Sequence, residues 1–111
     1  MITVKAYATQ SPTSPLAPFN IKRRNLREND VLIDILFSGV CHSDLHQARD
    51  EWGESIYPMV PGHEIVGNVI KIGNKVNKFK IGDPAGVGVM IDSCRVCKHA
   101  KITWSSIVRK E

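Results

Sequence analysis

Residues 39 to 64 read GVCHSDLHQARDEWGESIYPMVPGHE and hold one cysteine, three histidines, two aspartates and three glutamates. A purely structural loop does not require such a density of metal-ligand and acid-base side chains. Cys41 and His63 are the candidate metal ligands, because one sulfur and one imidazole nitrogen around zinc form a catalytic type of ligand set that leaves a position open for a substrate oxygen. Taken alone, each has a plainer reading: a lone buried cysteine is commonly a small hydrophobe, and a lone histidine a satisfied polar group.

A second group lies downstream. Cys94 and Cys97 have the C-x-x-C spacing of one zinc knuckle, and the remaining cysteine, Cys41, lies 53 residues upstream. A thioredoxin-like redox pair is the weaker reading, since the motif does not open a helix after a strand in a βαβ pattern.

The elements that must position these residues are short strands. Thr3 to Ala8 alternates weakly, and SPTSPLAP, with prolines at 12, 15 and 18, predicts an extended loop. Val31 to Phe37 predicts a core strand with Asp34 on a partly exposed face, ended by Ser38-Gly39. Ser43 to Arg49 has short helical character, entered through Cys41 and His42, and Pro58 and Pro61 impose extended backbone before His63. Ile65 to Ile72 predicts a second strand with a bulge or kink at Gly67. A short strand around Phe79 lies between turns at Gly73-Asn74 and Gly82-Asp83-Pro84, and Ala85 to Ile91 predicts a third apolar strand. Short strands with Gly, Pro and Asn turns and little helix predict a mainly β, barrel-like domain with its chemistry in the loops.

The chain of 111 residues fits one domain of ordinary globular composition, with 42% hydrophobic and 23% charged residues. The net charge is +4, but Lys22, Arg23, Arg24 and Arg27, and Lys71, Lys75, Lys78 and Lys80, form two separate runs without interleaved aromatics. That pattern argues against nucleic acid as a partner. MITVKAYATQ lacks the apolar run of a signal peptide, and no stretch is long and apolar enough to span a membrane. With three cysteines, two of them in C-x-x-C, the expected location is the cytoplasm.

Four stretches together resemble the zinc-dependent medium-chain alcohol dehydrogenases: GVCHSDLH at 39 to 46, YPMVPGHE at 57 to 64, KFKIGD at 78 to 83 and DSCRVC at 92 to 97. Within them the resemblance is to the cinnamyl-alcohol-dehydrogenase-like branch of NADP-dependent aldehyde reductases. It runs from about residue 4 to residue 98 and implies a GroES-like domain, incomplete at its C-terminal side, over residues 1–98, with a tail at 99–111 that does not match the family.

Carried over position by position, the resemblance implies that Cys41 and His63 are ligands of a catalytic zinc and that Glu64 is the neighbouring carboxylate that eases ligand exchange. Asp44 matches the acid that orients the ligating histidine, fixing its tautomer and raising its basicity. Ser43 matches the hydroxyl that touches the substrate oxygen, and His46 the distal end of a proton relay. His42 matches a position near the cofactor pyrophosphate, while Gln47 and Trp52 match the lining of the substrate pocket, a packing role being equally open for Trp52. The implied reaction interconverts a primary alcohol and an aldehyde: zinc lowers the pKa of the alcohol, Ser43 passes the proton, and hydride goes to the nicotinamide of NADP.

The pattern also breaks. The family's structural zinc lobe reads C-x-x-C-x-x-C with a fourth cysteine eight residues on, whereas the third and fourth positions here are Ala100 and Val108. His99 adds at most one nitrogen, so Cys94 and Cys97 are read as the remnant of a structural zinc site that holds no stable metal. No G-x-G-x-x-G is present, and no further cysteine supplies a third catalytic ligand. The abrupt change at about His99 suggests a truncated or frameshifted reading frame. The expectation is a fragment of an oxidoreductase, inactive by itself; the alternative is a non-enzymatic β-barrel fragment that self-associates through exposed strands.

Overall fold

The computed structural model describes residues 1–89, 91, 94 and 96–98. The chain runs β1 (Ile2–Ala8), β2 (Ala17–Arg23), β3 (Val31–Gly39), α1 (His42–Ala48), β4 (Glu64–Ile72) and β5 (Pro84–Val87). The domain is mainly β, as expected. Two antiparallel sheets form, a β1-β2 pair and a three-stranded sheet in the order β3-β4-β5.

β1 alternates half-buried Ile2, Val4 and Ala6 with exposed Thr3, Lys5 and Tyr7, which is the period of a strand with one covered face. Its partner departs from expectation. The stretch read as extended loop through Pro18 already contains β2, which pairs Ala17 with Ala8 and Pro18 with Tyr7. Proline is tolerated there because β2 has a single neighbour, so the missing N–H can fall on the open edge. Thr9 then ties the hairpin to the rest of the domain. Its N–H donates to Met59 O and its carbonyl accepts from Met59 N, both at 2.9 Å, just after the cis Tyr57-Pro58 bond.

The three-stranded sheet holds the core. On the inner face of β4, Val69 and Gly67 are buried, and Ala85 of β5 pairs with Gly67. The irregularity expected at Gly67 is present. Ile35 faces Gly67 and Phe37 faces Val66, so Leu36 is the extra residue of a bulge on β3. A Cβ at Gly67 would lie 2.1 Å from Asp34 O and 2.7 Å from Ile33 Cγ2, so only glycine fits this close approach.

Three expectations are corrected. The second half of β3 is not core: Ile35 is 49% and Phe37 71% exposed, because no second layer covers that face among the described residues. No strand forms around Phe79. Instead a turn runs back onto β4, with Val69 N donating to Asp83 O at 2.8 Å and Gly82 N to Val69 O at 2.7 Å. The third apolar strand, β5, ends at Val87, so Gly88 and Val89 lie outside it. Its expected continuation through Met90 and the change expected at His99 lie outside the described residues.

No helix of the described residues is long and apolar enough to cross a membrane.

Candidate metal and proton-transfer site

β3 ends at Gly39 and β4 starts at Glu64, and these two residues are paired across the sheet. The chemistry-bearing stretch is therefore one excursion whose two ends meet. Cys41 leaves β3 as the N-cap of α1, in extended conformation, and His63 enters β4 with its N–H on Gly39 O at 3.2 Å. The sheet register alone brings the 41 and 63 backbones together.

Asp44 does the rest. It is 8% exposed. Its Oδ2 accepts from Cys41 N at 3.0 Å and from His63 Nδ1 at 3.0 Å, and its Oδ1 accepts from Gly62 N at 2.8 Å. The first bond is half of a helix capping box, and the other two staple the helix start to the incoming loop. The Gly62 bond needs a backbone at φ +100, and a Cβ there would lie 2.5 Å from Ser38 Oγ, so the position requires glycine.

With Nδ1 held by a carboxylate, His63 turns Nε2 toward Cys41 Sγ at 3.5 Å. Ser43 Oγ stands 2.9 Å from the same sulfur. Among the described residues, Cys41, Asp44 and His63 bring their donor atoms within 4.8 Å of one another. Because Asp44 is engaged by three N–H groups, Cys41 and His63 are the members with electron pairs directed into the site.

The electrostatics follow from these contacts. The Ser43 hydroxyl first, then its N–H and the His63 ring, hold the Cys41 thiol below its ordinary value. Burial pushes the Asp44 carboxyl up, but the Gly62 and Cys41 N–H groups together with His63 outweigh it and hold the group below its usual range. The hydrogen bond from Asp44 raises His63, against a smaller effect of burial. Each shift favours the charged form, as in a site built to stabilise charge.

One helical turn on from Ser43, His46 joins a second group. Its Nδ1 bonds the Glu51 carboxylate, its ring lies 5.0 Å from that of Trp52, and the His42 ring meets it edge-on at 4.7 Å. Glu51 was not singled out from sequence. Its position five residues after His46, beyond the helix end, follows no helical spacing; Glu51 N donates to His46 O at 3.0 Å and folds the chain back.

Gln47 is tethered rather than free: its Nε2 donates to Ser55 Oγ at 2.9 Å, and that hydroxyl donates to Gln47 O at 2.6 Å. With Tyr57 OH on Ala48 O at 2.7 Å, these bonds fix the loop that carries the exposed Trp52. Glu64, the first residue of β4, is not among the three residues whose donor atoms gather within 4.8 Å; its carboxylate lies beside Gly39, and its charge adds to the upward shift of His63.

Cys94 and Cys97 are both exposed and in no disulfide. Cys97 N donates to Cys94 Sγ at 3.4 Å, and this bond first among the local N–H and thiol donors lowers the Cys94 thiol to about 7. The third and fourth positions of the expected lobe, 100 and 108, lie outside the described residues.

Comparison with known proteins agrees with this geometry. Residues 27–108 match the family model for the alcohol dehydrogenase GroES-like domain. NADP-dependent alcohol dehydrogenase C 1 of Mycolicibacterium smegmatis is 52% identical over 101 residues, which is 91% of this chain and 29% of that protein. The solved structure of a cinnamyl alcohol dehydrogenase from Sorghum bicolor superposes with a TM-score of 0.85 at 44% identity, over 91% of this chain and 29% of that one. That of CAD from Helicobacter pylori complexed with NADP(H) gives 0.87 at 45%, over 96% and 30%. The chain thus spans less than a third of the length of each of these relatives. With a match over most of its length and a fold shared with solved relatives, the chain belongs to the alcohol dehydrogenase GroES-like domain family.

Proposed function

We propose that this chain supplies the metal-binding and proton-handling part of a zinc-dependent oxidoreductase that interconverts primary alcohols and aldehydes with NADP(H). The observation that carries the reading is the distance between Cys41 Sγ and His63 Nε2. Tetrahedral zinc, with Zn–S near 2.3 Å and Zn–N near 2.0–2.1 Å, sets its sulfur and nitrogen ligands about 3.6 Å apart. These two atoms stand 3.5 Å apart, so the pair fits the ion with little adjustment.

The zinc would act as a Lewis acid that polarises the substrate oxygen. Everything else in the step falls to the protein. Asp44 keeps the proton of His63 on Nδ1, which leaves Nε2 as the ligand atom. Ser43, with its hydroxyl beside the Cys41 sulfur, is placed to accept the proton of an alcohol bound there. His46 carries that proton outward, held in orientation by Glu51. His42, on the same helical face, borders the cofactor, and Trp52 with the tethered Gln47 walls the substrate. Glu64 acts only when ligands exchange, after leaving its place beside Gly39.

The relatives' names support an alcohol as the substrate class and NADP as the cofactor, but no G-x-G-x-x-G occurs in these 111 residues. Hydride transfer needs a cofactor held against the substrate, so the chain alone is inactive. Cys94 and Cys97 hold no stable zinc.

Cobalt(II) titration tests the reading. The thiolate-to-cobalt absorption band should appear with the wild-type chain and with Cys94→Ser, and be absent with Cys41→Ser. No turnover of benzyl alcohol or cinnamaldehyde with NADP(H) is expected. Metal that survives Cys41→Ser but is lost in Cys94→Ser would overturn the assignment, as would turnover by this chain alone.

A second reading has an observation of its own. Phe37 of β3 and its partner Val66 of β4 are exposed on one face, Ile35, Leu36 and Ile70 are exposed as well, and β3 is an edge strand among the described residues. A non-enzymatic module that self-associates through this surface accounts for them. Light scattering separates the two: a chain that stays monomeric at high concentration excludes self-association.

A further inference from the structure

The proposed function leaves Cys94 and Cys97 unused. One backbone bond ties them: Cys94 Sγ accepts the Cys97 N–H at 3.4 Å. Both residues are open to solvent. A closed zinc set takes four ligands. Among the described residues, the metal-competent group contains neither of these cysteines, and the two positions that would complete their lobe are alanine and valine.

Two exposed thiols three residues apart, one of them receiving a peptide N–H, have the arrangement needed for thiol–disulfide exchange. The donor favours the nucleophilic thiolate at one sulfur, and the neighbour supplies the second attack. Cys41 differs on this point. Its sulfur contacts are Ser43 and His63, neither of which can resolve a mixed disulfide.

We propose that Cys94 and Cys97 form a redox-active dithiol that closes to an intramolecular disulfide by reaction with small-molecule disulfides, Cys94 attacking and Cys97 resolving. In the first step the Cys94 thiolate attacks one sulfur of RS–SR, forming Cys94–S–S–R and releasing RS⁻. In the second, Cys97 gives up its proton and attacks the Cys94 sulfur, forming the Cys94–Cys97 bond and releasing the second RS⁻. Two electrons pass from the pair to the oxidant, and the two protons lost by the cysteines convert both RS⁻ to RSH. Dithiols reverse the reaction. The inference does not depend on the dehydrogenase reading, since no step uses Cys41, His63 or a metal.

Oxidised and reduced glutathione in set ratios, followed by acid quenching, alkylation and peptide mass mapping, test it on the purified chain. The wild-type chain should yield a species lighter by two hydrogens, with Cys94 linked to Cys97, and dithiothreitol should restore it. Cys97→Ser should stop as a glutathione adduct on Cys94. Cys94→Ser should form its adduct at position 97 about tenfold more slowly. Three results would overturn the proposal: both cysteines alkylated in full under oxidising glutathione, a bridge to Cys41 instead, or equal adduct rates for the two serine variants.

Discussion

Asp44 Oδ2 accepts the Nδ1 proton of His63 at 3.0 Å while the other oxygen of the same carboxylate accepts from Gly62 N, one residue before that histidine. The carboxylate therefore fixes both the ring and the backbone that carries it. Removing it leaves three donors without their acceptor in a mostly buried place. Asp44→Ala should destabilise the chain by about 2–3 kcal/mol, read as a lower urea midpoint, and Asp44→Asn should cost less because one amide oxygen remains. Cobalt affinity should fall about 10–100-fold in both variants. An unchanged midpoint with unchanged metal affinity would remove Asp44 from the site.

Glu51 should set the tautomer of His46. With Nδ1 on the carboxylate, the proton sits on Nδ1 and Nε2 is left as the acceptor. Nitrogen-15 spectra of the neutral ring should show the Nδ1–H form in the wild type and a mixture in Glu51→Ala. Identical spectra would mean that the bond does not persist in solution.

Two glycines in adjacent strands should respond oppositely to alanine. At Gly67 the added carbon meets the β3 backbone at 2.1 Å, and Gly67→Ala should destabilise by about 1–3 kcal/mol through forced displacement of β3. At Gly86 the nearest atom is Ile65 O at an ordinary 3.6 Å, so Gly86→Ala should be neutral or slightly stabilising. Thermal melts of the two variants compare them directly.

Asp30 predicts a pH dependence. The Arg24 guanidinium, followed by the Arg27 N–H, holds its carboxyl at about 2 against an ordinary 3.8. A carboxyl with a depressed value in the folded state binds its proton more readily in the unfolded chain. Its contribution is thus complete above the unfolded value and is lost as pH falls through the folded one. Stability should decline between about pH 4 and about pH 2 more steeply for wild type than for Asp30→Asn, with the two curves converging at the acid end. Because the Arg24–Asp30 pair is partly exposed, added salt should shrink the difference.

The positions of β1, α1 and the main part of β3 and β4 were legible in the sequence because each rests on local signals: alternation, a short helical stretch and terminating Gly or Pro residues. β2 was not, since three prolines signal a loop and nothing local shows that Ala17 to Arg23 has a partner in β1. The strand expected around Phe79 failed for the converse reason. The chain there forms a turn whose Gly82 and Asp83 backbone groups bond Val69, 13 and 14 residues away in sequence.

By itself, the sequence determined the chemistry available: the identities and order of Cys41, Ser43, Asp44, His46 and His63, and the absence of cysteine at 100 and 108. Only the tertiary structure decided which of these act together. The pairing of Gly39 with Glu64 closes the ends of a long excursion, and Asp44 then draws His63 onto Cys41. Spacing along a chain cannot show this, because contacts across a sheet depend on register, and alternation along a strand sends neighbouring side chains to opposite faces.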